Sequence, residues 1–305
     1  MPEPRPHLVL ANDGAGSTSR RDVALAVSRL AEQVPTELRW TSEPAEFEDL
    51  VRDATEQQLV IAGGDGSLHL ALQTVDSLGR TDEAVGIIPL GTGNDFARNH
   101  EIPLDPQEAA DVVLAGQARA VDAIELRDGG SHRELVANNL HLGMGVDSAR
   151  AAQRWKPALK RFAYPAATAW TGATGGSSAM RVTVEDEVVW DGPLLACLFL
   201  LGPSMGGGVE LVDTTDGTID VVVVEPVERR DRVALVRAAM RGGLTETDHA
   251  ERWTGRRASV HVDGTIDADI DGELAEHQRA LHLELKPRAW RILAPSGTAT
   301  GTATG

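Results

Sequence analysis

The apolar positions of the first 125 residues fall into two alternating rhythms. Short unbroken runs, Leu8–Ala11, Leu59–Ala62 and Ala84–Ile88, have the length and content of strands buried on both faces. Leu38 and Trp40, alternating with polar neighbours, mark a further strand. Between these runs the apolar residues recur at helical spacing. Val23, Val27, Leu30, Ala31 and Val34 form one such face, Phe47, Leu50, Val51 and Ala54 a second, and Leu68, Ala71, Leu72 and Val75 a third. Another helix has its ends written out: Asp105 as N-cap, Pro106 at the first position, Glu108 completing a capping box and Gly116 at the exit. Strand and helix in alternation predict an α/β domain with a doubly wound parallel sheet, which places ligands at the carboxyl ends of its strands.

After residue 125 the rhythm changes to period two. Residues 181–190, 194–201, 218–224, 256–262, 279–286 and 289–294 read as strands, with Leu281, Leu283 and Leu285 on one face. Asp128-Gly-Gly130 and Trp190-Asp-Gly192 read as hairpin turns, and one amphipathic helix carries Val233, Val236 and Met240. The expectation is a second, all-β domain over 126–296, an antiparallel β-sandwich. From Gly297 the chain is a Gly-Thr-Ala repeat, expected to be a disordered tail.

At 305 residues the chain is long enough for two cores. No apolar run approaches the ~18 residues of a membrane helix, and the first residues lack the basic and apolar regions of a signal peptide. A single cysteine, Cys197, excludes an internal disulfide and suits a reducing cytoplasm. The net charge of −17 argues against nucleic acid as a partner and against broad attraction to anionic membrane. Against that background Arg150–Tyr164 stands out, with five basic residues, no acid, and Trp155, Phe162 and Tyr164. Such a stretch suits contact with an anionic membrane surface, and equally a helix that packs its aromatics inward.

The candidate chemistry lies in two glycine turns, each directly after an apolar strand. Gly63-Gly-Asp-Gly-Ser67 follows the third strand, and Gly91-Thr-Gly-Asn-Asp95 follows the fourth. A strand, a glycine turn and a helix bring bare backbone N–H groups up to phosphate oxygens. A carboxylate in the same turn, Asp65 or Asp95, suits a Mg²⁺ ion that the phosphates also coordinate. Asn12-Asp-Gly-Ala-Gly16, after the first strand, has the placement of a nucleotide-contacting loop, though Ser19 at the third glycine position breaks the dinucleotide fingerprint.

These motifs resemble a known family. Gly63–Ser67 is similar to the Gly-Gly-Asp-Gly-Thr signature of diacylglycerol, sphingosine, ceramide and NAD kinases and of phosphofructokinases. Pro89-Leu-Gly-Thr-Gly-Asn-Asp-Phe-Ala-Arg98 narrows the resemblance to the diacylglycerol kinase-like lipid kinases, and it extends from Asn12 to Glu273. The resemblance implies an ATP- and Mg²⁺-dependent lipid kinase, with a nucleotide-binding domain over 1–125 and a β-sandwich whose last strand returns toward it. Asn12, Gly14, Gly16, Thr41, Gly63, Gly64, Asp65, Gly66, Ser67, Gly91, Thr92, Gly93 and Asn94 would then contact the nucleotide. Asp65, Asp95 and Asp122 would serve the metal, Asp216 would help hold a structural Mg²⁺, and Asp65 and Asp122 would belong to the catalytic network. Glu273, in Asp271-Gly-Glu273, would be the general base for a lipid hydroxyl. Diacylglycerol or a related lipid is the implied acceptor, with transient contact to a membrane surface from the cytoplasm. The resemblance leaves a homodimer open.

Two positions depart from the family pattern. Thr215 stands where relatives have the first of two aspartates, and Leu70 where many carry glutamate. They keep a catalytically lapsed nucleotide- or lipid-binding homologue in view; a small-molecule kinase of the NAD kinase or sugar-phosphate kinase type is the other alternative, disfavoured by the segment Gly91–Arg98. Gly202-Pro-Ser-Met-Gly206 matches a nucleophile elbow, but the following glycines lead into further β structure rather than a helix. The nine histidines have no zinc-like spacing.

Overall fold

The computed structural model describes residues 5–12, 19–129, 133–143, 176–205, 209–211 and 217–296. The chain divides into two compact units, Met1–Val121 with Arg288–Gly305, and Asp122–Pro287. The division falls inside a strand, at Val121/Asp122.

The first unit is built on β1 (His7–Asn12), β2 (Thr36–Thr41), β3 (Gln58–Gly63) and β4 (Ala84–Pro89), in the order β4-β3-β1-β2, all parallel. The chain moves from β1 to β2 on one side, then crosses back over β1 to β3 and on to β4. Right-handed crossovers require helices on opposite faces for opposite directions of travel. Accordingly α1 (Arg20–Ala31) packs on α5 (Pro106–Ala115), while α2 (Pro44–Asp53) packs on α3 (Asp65–Ser77). The unbroken apolar strands are buried throughout, from Leu8 to Ala11 and from Leu59 to Ala62, as a sheet covered on both faces demands. The start of α5 follows its sequence: Asp105 accepts from the N–H groups of Gln107 and Glu108, and Gly116 closes the helix at φ 64°.

The second unit comprises β5 (Ala118–Arg127), which begins in the first, β6 (Arg133–Val136), β7 (Asn139–Gly143), β8 (Ser178–Val184), β9 (Glu187–Leu194), β10 (Ala196–Leu200), the two-residue β11 (Ser204–Met205) and β12 (Val209–Glu210), β13 (Ile219–Val224), β14 (Ala250–Gly255), β15 (Arg257–Ile270) and β16 (Glu273–Leu293), whose residues from Arg288 belong to the first. The long strand β15 serves two layers. Its first half pairs with β8, its last residues pair with β7, and between them its pairing with β16 shifts register twice, at His261/Ile266 and Ile266/Ala268. One apolar core contains Phe199, Val221, Val260, Leu281 and Leu283. A second lies on the opposite face of β10 and β13, where Leu198, Leu200, Val222 and Val224 meet Leu235 of α6 (Arg229–Ala239). Two-sided burial explains why β10 and β13 read as continuous apolar runs.

Three local expectations are corrected. Residues 181–190 are not one strand. The chain turns at Glu185-Asp186, both at positive φ (48° and 69°), while Trp190-Asp-Gly192 lies within β9. A two-residue turn of that handedness matches strand twist without requiring glycine. Residues 279–286 and 289–294 belong to a single strand, β16, which bends where Arg288 takes φ 55° after Pro287. In α6 the buried residues are Leu235 and Val236, whereas Val233 and Met240 are exposed. The Gly297 tail lies outside the described residues.

Candidate active site

In the order β4-β3-β1-β2, the chain leaves β1 and β3 toward opposite faces of the sheet. The crevice beyond their carboxyl ends is where an open α/β sheet receives a ligand. Asn12 ends β1 and Thr41 ends β2, the two as register partners, and Thr41 is buried. Gly14 and Gly16 lie outside the described residues.

The turns after β3 and β4 are packed backbone to backbone. A Cβ on Gly91 would stand 2.5 Å from the Gly64 Cα, and one on Gly64 would stand 2.9 Å from the Gly91 Cα. No side chain fits at either position, so glycine here is a condition of closure. Leu90 donates its N–H to the Gly63 carbonyl at 2.8 Å, which continues the β3–β4 ladder into the turns. Asn94 folds back on its own loop at φ 55°. Its Oδ1 accepts from the Gly91 N–H at 2.8 Å and its Nδ2 donates to the Gly91 carbonyl at 3.1 Å. From that conformation the short helix α4 (Asp95–Asn99) begins.

Asp65 opens α3, and its Oδ1 accepts from the Phe96 N–H at 3.1 Å, so the aspartate of one turn caps the helix of the other. Asp95 is buried. Both carboxylates turn to the same glycine: a Cβ on Gly93 would lie 3.1 Å from Asp65 Oδ2 and 3.3 Å from Asp95 Oδ2. The cleft among Ile61, Gly64, Asp65, Leu68, Asn94 and Ala97 measures about 10 Å³, room for no more than a water, so phosphates would lie over the turns rather than in them. Gly66 and Thr92 are exposed there, with Ser67 and Gly93 half-buried.

Among the described residues no group of three or more His, Cys, Asp or Glu is arranged to hold a metal. Two carboxylates flanking an open glycine nevertheless suit Mg²⁺, which binds one or two carboxylates and completes its shell with phosphates and water. Asp122 is half-buried in β5, at the start of the second unit. Asp216, like Thr215 and the basic stretch 150–164, lies outside the described residues.

In the second unit, Asp271 and Gly272 form the two-residue turn between β15 and β16, at φ 51° and 94°. Asp271 is buried, and its carboxylate accepts from the N–H groups of Ala137, Asn138 and Asn139 at 2.6, 2.8 and 2.9 Å. The Asp271 N–H donates in return to the Asn139 carbonyl at 2.9 Å. The turn is thus fastened to the segment joining β6 and β7, and it presents Glu273 to solvent at the first position of β16.

Behind the turn lies a pair that the sequence did not reveal. Asp269 accepts from the Gly272 N–H at 2.9 Å and faces His141, its register partner on β7, across 4.0 Å. Both residues are buried, and neither His141 ring nitrogen has a hydrogen-bond partner. Burial pushes the Asp269 carboxyl above its ordinary value, with the Asp271 charge adding to the rise and His141 and the Gly272 N–H opposing it. Asp269 sat among other acids in the sequence, and only strand pairing singles it out. Ser204 of the elbow-like motif stands in β11, whose partner is another short strand rather than a helix.

Residues 6–126 match the diacylglycerol kinase catalytic domain, and residues 139–294 match the YegS C-terminal NAD kinase beta sandwich-like domain. A Pseudomonas aeruginosa protein described as "Probable lipid kinase YegS-like" is 28% identical over 300 residues, spanning 95% of this chain and 94% of its own. A Mycobacterium tuberculosis "Diacylglycerol kinase" is 28% identical over 244 residues, 78% of this chain and 76% of its own. Among solved structures, a "putative diacylglycerol kinase" from Bacillus anthracis superimposes with a TM-score of 0.79 at 20% identity, covering 97% of this chain and 99% of that one. That likeness establishes the fold.

Proposed function

The chain belongs to the diacylglycerol kinase family of lipid kinases, and on that premise we propose that it transfers the γ-phosphoryl group of ATP, with Mg²⁺, to the hydroxyl of diacylglycerol or a closely related lipid. The observation that carries this reading is the closure of the two glycine turns on each other, with Asp65 and Asp95 facing the same open glycine. Phosphoryl transfer asks a protein mainly for positioning and for charge stabilisation. The backbone N–H groups of the turns would bind and orient the phosphate chain. Asp65 and Asp95 would hold the metal, with Asp122 supporting it through water, while Asp216 would help hold a separate structural Mg²⁺. The ion, when bound, neutralises charge on the transferring phosphoryl group.

Glu273 would take the proton from the lipid hydroxyl oxygen as that oxygen bonds to the γ-phosphorus and the bond from that phosphorus to the bridging oxygen breaks, releasing ADP. An exposed carboxylate on a turn fixed by Asp271 is suited to the task, because it is held in place and open to an incoming alcohol. Among the described residues no helix is long and apolar enough to cross a membrane. The protein would therefore meet its lipid at a bilayer surface.

The test is transfer of label from γ-labelled ATP to separately dispersed diacylglycerol, sphingoid base, phosphatidylglycerol and prenol, and to NAD, with and without Mg²⁺, beside a calorimetric measurement of ATP binding. Labelled lipid in the diacylglycerol arm, dependent on Mg²⁺, is the expected result. Labelled NAD with no labelled lipid would point to the NAD kinase type. Tight ATP binding with no acceptor labelled would favour a lapsed homologue, the reading to which Thr215 and Leu70 belong.

A further inference from the structure

Helix α6 packs through Leu235 and Val236, both buried. That leaves the opposite side to be explained, and its composition is unlike that of a solvated helix. Val233 and Met240 are 47% and 48% exposed. They lie seven positions apart, two turns along one side, with exposed Arg237 between them and exposed Arg241 following. Asp231, the only acid between 229 and 241, falls away from that side. Arg232 is otherwise engaged, donating its Nε–H to the Val227 carbonyl at 3.3 Å.

A chain of net charge −17 has thus set two exposed arginines, Arg237 and Arg241, beside two apolar side chains that belong to neither apolar core. Water solvates such an apolar pair poorly, and arginines beside it attract anions. An anionic lipid surface satisfies both at once, with acyl chains under the apolar residues and phosphates at the arginines. We propose that this face of α6 is the surface by which the protein docks on anionic bilayers. The purpose of docking rests on the lipid kinase reading; the surface itself does not. Because the remaining charge is acidic, attraction would be short-ranged and sensitive to salt.

The experiment uses the full chain and sedimentation with vesicles of pure phosphatidylcholine or of phosphatidylcholine with phosphatidylglycerol, at low and high salt. Wild type should bind only the anionic vesicles and release them as salt rises. R237Q/R241Q should lower that binding by roughly tenfold or more, at roughly fivefold per arginine. V233S/M240S should weaken it at every salt concentration. All four positions are exposed, so the melting temperature should not move, and a lowered one would be controlled for by R237K/R241K, which should restore binding. Turnover on vesicle-borne lipid should fall with binding, while turnover on a short-chain, water-soluble analogue stays within about twofold. Equal binding by wild type and both double variants would overturn the proposal, as would absence of wild-type binding to anionic vesicles. So would conversion of a wild-type dimer to monomer by the variants without loss of vesicle binding, which would make the face a contact between copies. If neither substrate is phosphorylated, the kinase reading fails while sedimentation still decides the docking surface.

Discussion

The two units arrive at a candidate site by opposite means. In the α/β unit the site is made of what is missing. Gly64 and Gly91 touch because neither carries a side chain, and the carboxylates of Asp65 and Asp95 gather around Gly93 for the same reason. In the β unit it is made of one buried group. The Asp271 carboxylate gathers three backbone N–H donors and thereby fixes the turn that carries Glu273. A site held by close backbone contact should be vulnerable to added volume, and one held by a carboxylate to lost hydrogen bonds. The lesson is that aspartates in similar glycine turns do different work. Asp65 and Asp95 both turn an oxygen to Gly93, whereas the Asp271 carboxylate is spent on three backbone N–H groups.

The sharpest break of that comparison exchanges one aspartate for its amide. Asp65→Asn should leave folding intact and remove transfer by on the order of 10³ or more, because the isosteric amide keeps the shape of the turn and loses the charge for the metal. Unchanged turnover in the purified variant would sink the assignment of Asp65. Asp271→Ala should do the reverse and act first on stability. Three buried N–H groups would lose their acceptor, at a cost of about 3–5 kcal/mol, read as a lower denaturation midpoint. A stable but inactive variant would mean that Asp271 touches substrate instead.

Smaller in effect is Gly91→Ala, where the new methyl meets the Gly64 backbone at 2.5 Å. About 1–3 kcal/mol of overpacking is expected, together with weaker nucleotide binding. A variant with wild-type stability would show that the turns can separate without cost.

The smallest effect is on pH dependence. The His100 ring packs on Phe96 with centroids 4.3 Å apart, and burial, aided by the charge of Arg119, lowers its pKa to about 3. The stability gained by holding it neutral is full above its ordinary value of 6.5 and is lost as pH falls from there toward 3. Asp269 has the opposite sign: its raised value contributes stability below the ordinary 3.8, which is lost as pH rises through the folded-state value. Melting temperatures between pH 7 and pH 4 should therefore fall less steeply for His100→Phe than for wild type. Identical slopes would mean that His100 is not held neutral by the fold.

The legibility of these features in the sequence follows from how local their causes are. The glycine turns and the α5 cap were readable because each is decided by residues within a few positions. The turn at Glu185-Asp186 was not, since neither residue advertises positive φ and the turn is imposed by pairing of β8 with β9. The outward face of Val233 and Met240 was also hidden, because helical spacing gives a face without saying which side meets a core. Asp269 and His141 stand 128 positions apart and meet only through strand register.

The division of labour between the two turns is tested most directly by Glu273→Gln. ATP affinity, measured by calorimetry in the presence of Mg²⁺, would be set beside turnover on dispersed lipid. The account predicts unchanged affinity with turnover lowered by about 10²–10⁴. Parallel loss of affinity and turnover, or turnover equal to that of wild type, would contradict it.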